Sequence, residues 1–215
     1  MVCKAILFDL DGTLVDSAAD LANAMNFALQ RFGQPAHSVE ACKQMVGNGV
    51  KRFAERALAQ DVQYLRDEVL SVMRARYHDK CLEHSRLYDG IFETVKKLRD
   101  QGLRLAVVTN KDQVEAERIV EHFFGADTFE YVAGVVGNMP VKPDTAGTMK
   151  IVESMGLSCE DFLFVGDAEV DVRTAASAQI RSVGASWGFR GRDELVEAKA
   201  DIIIDSPAEI LDLVA

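Results

Sequence analysis

Positive charge is scarce in this chain. Its 215 residues carry 24 Lys and Arg against 34 Asp and Glu, for a net charge of -10. A surface of that sign repels phosphate backbones and anionic lipid, so a nucleic-acid groove or a membrane-surface protein is not expected. An anionic substrate would need local positive charge from a lysine or a metal. Long apolar runs are missing as well: none approaches the ~18 residues that cross a bilayer. Cysteine is sparse. Cys3, Cys42, Cys81 and Cys159 show neither CxxC nor metal-ligand spacing, which excludes a disulfide framework and fits free thiols. The four residues ahead of the first apolar run leave no room for a signal peptide. These absences lead to the expectation of a cytoplasmic protein acting on a small molecule, with no nucleic acid and no membrane as partner. Monomer and homodimer both stay open.

What is present is ordinary globular material, 48% hydrophobic and 27% charged. It is enough for one large domain, or a domain with an insertion. The chain divides into a strand-helix frame and a helical insertion. Leu21, Ala24, Met25, Ala28, Leu29 and Phe32 recur at helical spacing, with Asp16 or Ser17 as N-cap and Gly33 as the stop. Further helices are expected over 39–46, 50–59 and 62–82, the last with only a mixed apolar stripe. Four helices with short connections read as a small bundle. From residue 88 the pattern alternates strand and helix. Near-continuous apolar strands are expected at 103–108, 132–136, 162–165, 180–183 and 202–204, with helices at 91–101, 112–124, 145–155, 170–178 and 208–214. That alternation predicts an α/β fold, a doubly wound parallel sheet covered on both faces. Core segments 1–15 and 86–215 would enclose a helical cap at 16–85, with hinges at 14–18 and 83–89.

The chemistry collects where frame strands end. Ala5-Ile6-Leu7-Phe8 runs straight into Asp9-Leu10-Asp11-Gly12-Thr13. Two acids at i and i+2 of an extended segment point the same way. Burying both needs a cation or a shared proton. Alone, the segment also fits a plain strand entering an Asp-Gly turn. Thr109-Asn110-Lys111 follows the apolar 103–108 run, either as a phosphate cradle or as a simple helix cap. Lys142-Pro143 precedes a helix, where a lone lysine also reads as a solvated charge. Phe164-Val165-Gly166-Asp167 repeats the first design, with Asp171 four residues on. An N-cap and a first-turn acid would give the same letters. Open α/β sheets bind ligands at these carboxyl ends, and a carboxylate set with open positions suits Mg²⁺.

The four signals in this order resemble the haloacid dehalogenase superfamily, in its Mg²⁺-dependent phosphatase branch. Asp9, Asp11 and Thr13 fall on its DxDGT motif, Thr109 on the second motif, Lys142 on the third, and Asp167 with Asp171 on the fourth. The likeness covers essentially the whole chain, since the helical insertion matches the family's type-one cap. It implies a Rossmann-like core of strand order 5-4-1-2-3. It also implies Mg²⁺ held by Asp9, Asp167 and the Asp11 backbone carbonyl, with Asp171 in the outer shell. Asp9 would be the nucleophile forming an aspartyl-phosphate, and Asp11 the proton carrier. Lys142 and Thr109, with Gly12 and Asn110 nearby, would hold the phosphoryl group.

Substrate choice is less defined. Asp11 is the acid that true dehalogenases lack, and Gly166-Asp167 departs from the Glu-Asp pair usual in β-phosphoglucomutases. Val46-Gly47-Asn48-Gly49, Thr109-Asn110-Lys111 and Ser186-Trp187-Gly188-Phe189-Arg190 are similar to phosphoglycolate phosphatases. On that likeness the leaving group would be glycolate. Gly49 would belong to a cap loop dipping into the site, and Lys51 or Arg52 would meet the substrate carboxylate. The same glycines also fit a plain helix-helix turn with solvated cations, and Arg190 and Arg192 read as surface residues. A pyrophosphatase, a sugar-phosphate phosphatase, a phosphomutase and a phosphate-sensing protein without turnover remain alternatives.

Overall fold

The structure is a computed structural model that describes residues 3–214. In chain order it places β1 (Ala5–Phe8), the short β2 (Val15–Asp16), then helices α1 (Ala18–Arg31), α2 (Val39–Met45), α3 (Val50–Ala57) and α4 (Arg66–Lys80). The chain returns through β3 (Arg86–Leu87), α5 (Ile91–Asp100), β4 (Arg104–Asp112), α6 (Gln113–Phe124) and β5 (Tyr131–Val135). It continues with α7 (Ala146–Met155), β6 (Phe162–Gly166), α8 (Glu169–Ser177), β7 (Arg181–Ala185), α9 (Gly191–Glu197) and β8 (Ile202–Ile204).

Six parallel strands form one sheet in the order β5-β4-β1-β6-β7-β8. Counting only these strands, β5 is the third and β8 the sixth, so the expected five-strand order is present with one further strand at its outer edge. β1 pairs with β4 on one side (Phe8 opposite Val107) and β6 on the other (Phe8 opposite Val165). Alternation sorts the side chains of these strands to two faces. Ile6, Phe8, Leu163 and Val165 join Val95, Leu98 and Ile119 on one face. Ala5, Leu7, Phe162 and Phe164 join Ile151, Val152 and Ala175 on the other. Both faces are thus dry, as a doubly wound sheet requires. Each fully buried Ile6, Leu7 or Phe8 contributes roughly 1.5–3 kcal/mol of transfer free energy. β1 is therefore a rigid base for whatever follows Phe8.

Helices α1 and α4 pack against each other through Leu21, Met25, Val69 and Met73. The antiparallel ribbon β2-β3 closes the crossing between frame and helices, with Val15 opposite Leu87. Asp20, buried on α1, secures the return segment by accepting from the His84 and Ser85 N–H groups and the Ser85 hydroxyl. The expected helix at 62–82 starts late because Val62 leaves helical geometry (φ -116°) and residues 60–65 wind as a tighter turn. Helix α9 and the β2-β3 ribbon were not expected. In α9 only Leu195 is buried, so its sequence carries almost no apolar period. Among the described residues no helix is long and apolar enough to cross a membrane.

Candidate active site

Phe8 is the last residue of β1, and the next three residues turn over the carboxyl edge of the sheet between β4 and β6. This is the switch point, where the flanking connections diverge and leave a crevice. Asp9 lies beneath it, 8% exposed. The Lys142 ammonium sits 2.6 Å from Asp9 Oδ1 and 2.7 Å from Asp171 Oδ1, and donates to the Val108 carbonyl at 2.9 Å. All three ammonium donors are thereby engaged. Carboxylate oxygens of Asp9, Asp167 and Asp171 lie within 4.8 Å of one another. Asp171 thus belongs to the acid cluster itself.

Three buried acids share one ammonium, and the charge balance appears in their proton affinity. Burial, with Asp171 and Asp11 nearby, raises the Asp9 carboxyl to about 7 despite the opposing pull of Lys142. Asp167 is pushed well above the usual carboxylate range by burial and by Asp171 and Asp9. Excess negative charge among oxygen-only donors, with no histidine or cysteine in the set, fits a hard divalent cation such as Mg²⁺. Asp9, Asp167 and Asp171 are the side chains that would hold it.

Three glycines make this density possible. A Cβ on Gly12 would stand 2.4 Å from Asp167 Oδ2, one on Gly166 2.3 Å from the Asp171 Cβ, and one on Gly188 2.2 Å from the Asp167 Cβ. Gly12 also holds φ +90°, a backbone region that favours glycine. The Phe189 N–H donates to Asp167 Oδ2 at 2.7 Å and orients it. The assignment of Gly12 to substrate binding is corrected here. Its N–H is taken by the Val15 carbonyl at 2.9 Å, and its role is to let Asp167 approach.

Asp9 and Asp11 line one narrow cavity of about 50 Å³, roofed by helices α1, α3 and α4 and floored by Thr109, Asn110 and Lys111. Asp11 accepts from the Ser17 hydroxyl and pairs with Lys111 at 2.8 Å. That explains why Ser17, the N-cap of α1, makes no side-chain cap bond: its hydroxyl is turned into the site. Thr109 is buried beside Asp9, its hydroxyl accepting from the Lys111 N–H. Asn110 does not present its amide to the cavity as a substrate contact would. Its Oδ1 accepts from the Lys142 N–H at 2.7 Å, and its Nδ2 donates to the carbonyls of Lys142 and Gly47. It therefore positions Lys142 and ties the glycine loop of the cap to the sheet.

The cap residues divide. Gly49, at φ +85°, lines the cavity and lies against the Asn110 carbonyl and Val141. Lys51 and Arg52 are exposed, and neither lines the cavity that holds Asp11. Arg52 is drawn outward by Glu55 at 2.7 Å and borders a separate groove beside Lys142. The expected contact of either with a substrate carboxylate is corrected, because helix α3 points both toward solvent. Arg190 is the reverse case. It is no surface residue, since its guanidinium donates to the Gln44 and Val46 carbonyls and clamps the cap loop to the core. Arg192 does stay outside, paired with Asp205.

Sequence reasoning missed Lys111 as a site residue. Its side chain is 3% exposed, between Asp11 and the Tyr77 hydroxyl at 2.7 Å. Burial opposes its charge, but Asp11 and Tyr77 outweigh that and raise its proton affinity. Its signals were its place two residues after Thr109 and the likeness of Thr109-Asn110-Lys111 to phosphoglycolate phosphatases, in a position where lysine is normally solvated.

A family model described as haloacid dehalogenase-like hydrolase matches residues 6–185. A protein of Aliivibrio fischeri named phosphoglycolate phosphatase is 32% identical over 209 residues, covering 94% of this chain and 92% of its own length. Phosphoglycolate phosphatase 1 of Pseudomonas aeruginosa is 30% identical over 213 residues, covering 97% and 78%. Among solved structures, a predicted phosphoglycolate phosphatase from Haemophilus somnus superposes with a TM-score of 0.91 at 32% identity, over 99% of this chain and 98% of that one.

Proposed function

The chain belongs to the haloacid dehalogenase-like hydrolases, and from that premise we propose that it is a Mg²⁺-dependent phosphomonoesterase converting 2-phosphoglycolate to glycolate and phosphate. The observation that carries the reading is the Asp9-Lys142-Asp171-Asp167 cluster opening, through Asp9, into a cavity that Asp11 also lines. The names of the two curated relatives support the substrate, and the narrow cavity favours a short leaving group. Four free thiols suit a reducing compartment, the basis for placing it in the cytoplasm.

An Asp9 carboxylate oxygen attacks phosphorus, and the bond from phosphorus to the ester oxygen breaks. The departing alkoxide takes a proton from Asp11 and leaves as an alcohol, with phosphate now on Asp9. Asp11, now ionised, removes a proton from water. The water oxygen attacks phosphorus, the bond to Asp9 breaks, and inorganic phosphate departs. Lys142 holds Asp9 in place and offsets negative charge in both transfers, while Thr109 offers a hydroxyl to a phosphoryl oxygen. Mg²⁺, when bound, supplies the remaining positive charge at the phosphoryl oxygens. A partner-binding protein would not need both a nucleophile and a proton carrier.

Phosphate release from a panel of 2-phosphoglycolate, pyrophosphate, hexose phosphates and p-nitrophenyl phosphate tests this. Turnover is expected to require Mg²⁺ and to be highest, by kcat/KM, on 2-phosphoglycolate. Silence across the whole panel would favour the binding class, and a hexose phosphate in front would move the substrate.

The raised acids make a second prediction. Asp9, lifted from its ordinary 3.8 to about 7, contributes stability that is fully present below its unfolded value and lost as pH rises through 7. Metal binds the ionised carboxylates and restores that stability. The rise in Tm on adding Mg²⁺ should therefore be clearly larger at pH 8 than at pH 5.5. Equal shifts in a thermal melt would contradict metal binding at these acids.

A further inference from the structure

Lys111 takes no part in the two transfers above, yet it is the most deeply set cation of the cavity wall. It leaves the sheet at the carboxyl end of β4, and its ammonium lies 2.8 Å from Asp11 Oδ2. The same ammonium donates to the Tyr77 hydroxyl at 2.7 Å and stands 4.5 Å over the Tyr77 ring. An ammonium has three donors, and two polar side chains leave one for a ligand. Tyr77 accepts from Lys111, so its own hydroxyl proton is free to be donated. The other cation lining the cavity, Arg74, is locked in two hydrogen bonds with Asp112 at 2.8 and 2.9 Å. The wall near Asp11 therefore offers two adjacent donors, from Lys111 and Tyr77, aimed into the space where a leaving group must lie.

We propose that Lys111 and Tyr77 form the subsite for an anionic leaving group, a carboxylate one or two carbons from the ester oxygen, and so determine specificity. The inference rests on the phosphomonoesterase reading and deepens it. An ester oxygen that takes its proton from Asp11 sits beside the Lys111 ammonium, so a carboxylate on the next carbon falls within its reach. An ammonium and a phenol together match the two oxygens of a carboxylate. A hexose or an alkyl group would instead leave a buried ammonium donor unmatched, which is the kind of penalty that discriminates between substrates. Lys111 belongs to the sheet and Tyr77 to α4, so the subsite exists only with the helical layer packed over the core. This replaces Lys51 and Arg52, whose charges face solvent.

The test uses the full chain in magnesium buffer with two unreactive phosphonates of equal length. They are 3-phosphonopropionate, which carries the carboxylate, and propylphosphonate, which does not. Wild type is expected to bind the first at least about 10-fold tighter by calorimetry, with Lys111→Met cutting the ratio below about 3. Tyr77→Phe, which keeps the ring and loses the hydroxyl, should reduce the ratio partway and serves if the lysine variant fails to fold. In turnover, kcat/KM on 2-phosphoglycolate relative to ethyl phosphate should fall about 30-fold in Lys111→Met. An unchanged ratio, with both substrates slowed alike, would mean that Lys111 merely positions Asp11, and the proposal would be overturned. A wild type that hydrolyses neither ester would defeat the hydrolase reading, while the phosphonate titration would still decide the subsite.

Discussion

Asparagine in place of Asp9 is expected to lower kcat by at least about 10⁴-fold, with the fold intact. The amide nearly matches the carboxylate in shape but offers no anionic oxygen to attack phosphorus, so the first transfer cannot begin. The folded protein should tolerate the change well. Asp9 is one of three buried acids around a single ammonium, and Lys142 keeps its second ion pair with Asp171 at 2.7 Å. Removing one of the crowded charges relieves the repulsion that raises both Asp9 and Asp167. In metal-free buffer above pH 7 the variant should therefore melt at or above the wild-type temperature. The pair of measurements separates chemistry from folding. A variant retaining activity within tenfold of wild type would rule out Asp9 as the nucleophile, and one that is inactive because unfolded would show a collapsed melt.

The positions at strand ends were legible in the sequence because each follows an apolar run that leaves little doubt about where the strand stops. Asp9 after Phe8 and Asp167 after Gly166 occupy such junctions, whereas β4 runs on past Val108 to Asp112 and carries Thr109 within it; parallel strands bring all three to one edge. The sixth strand was readable from the apolar run Ile202-Ile203-Ile204, and the covering of both sheet faces from the unbroken apolar runs of β1 and β6. What could not be read was the state of individual cations. Lys51, Arg52, Lys111 and Arg190 are alike in sequence, each a cation near a turn or helix end. Lys111 is buried because Tyr77, 34 residues earlier, closes over it, and Arg190 is engaged because the 44–46 carbonyls face it. Lys51 and Arg52 are solvated because α3 buries Phe53 and Ala54 instead. Such outcomes depend on how helices from one part of the chain pack over loops from another, which local pattern does not encode. The same holds for Ser17, whose hydroxyl serves Asp11 in preference to its own helix. Nor does local pattern show that a Cβ at Gly166 or Gly188 would collide with an acid of the site.

Lys142→Met should produce the second large effect, and it should touch activity and stability together. Methionine fills most of the lysine volume without its charge, leaving Asp9 and Asp171 facing each other with no ammonium between them. Loss of one charged donor that balances the phosphoryl oxygens is worth about 10²–10³ in kcat. Breaking a buried pair by removing one partner typically costs about 3–5 kcal/mol, because the carboxylates left behind are uncompensated. For a domain of this size that corresponds to roughly 10 °C in Tm. The loss should be greatest in metal-free buffer at high pH and shrink on acidification, since protonating the orphaned acids removes the repulsion. Mg²⁺ should recover part of the stability by supplying positive charge to the same oxygens, yet little of the rate. A variant that regained both on adding Mg²⁺ would reduce Lys142 to a structural counter-ion. One that lost rate without losing stability would show that Asp9 and Asp171 do not depend on the ammonium to stay folded. The expected pattern, a melt restored by metal and a kcat that is not, would show that one ammonium both holds the acids together and stabilises the charge they transfer.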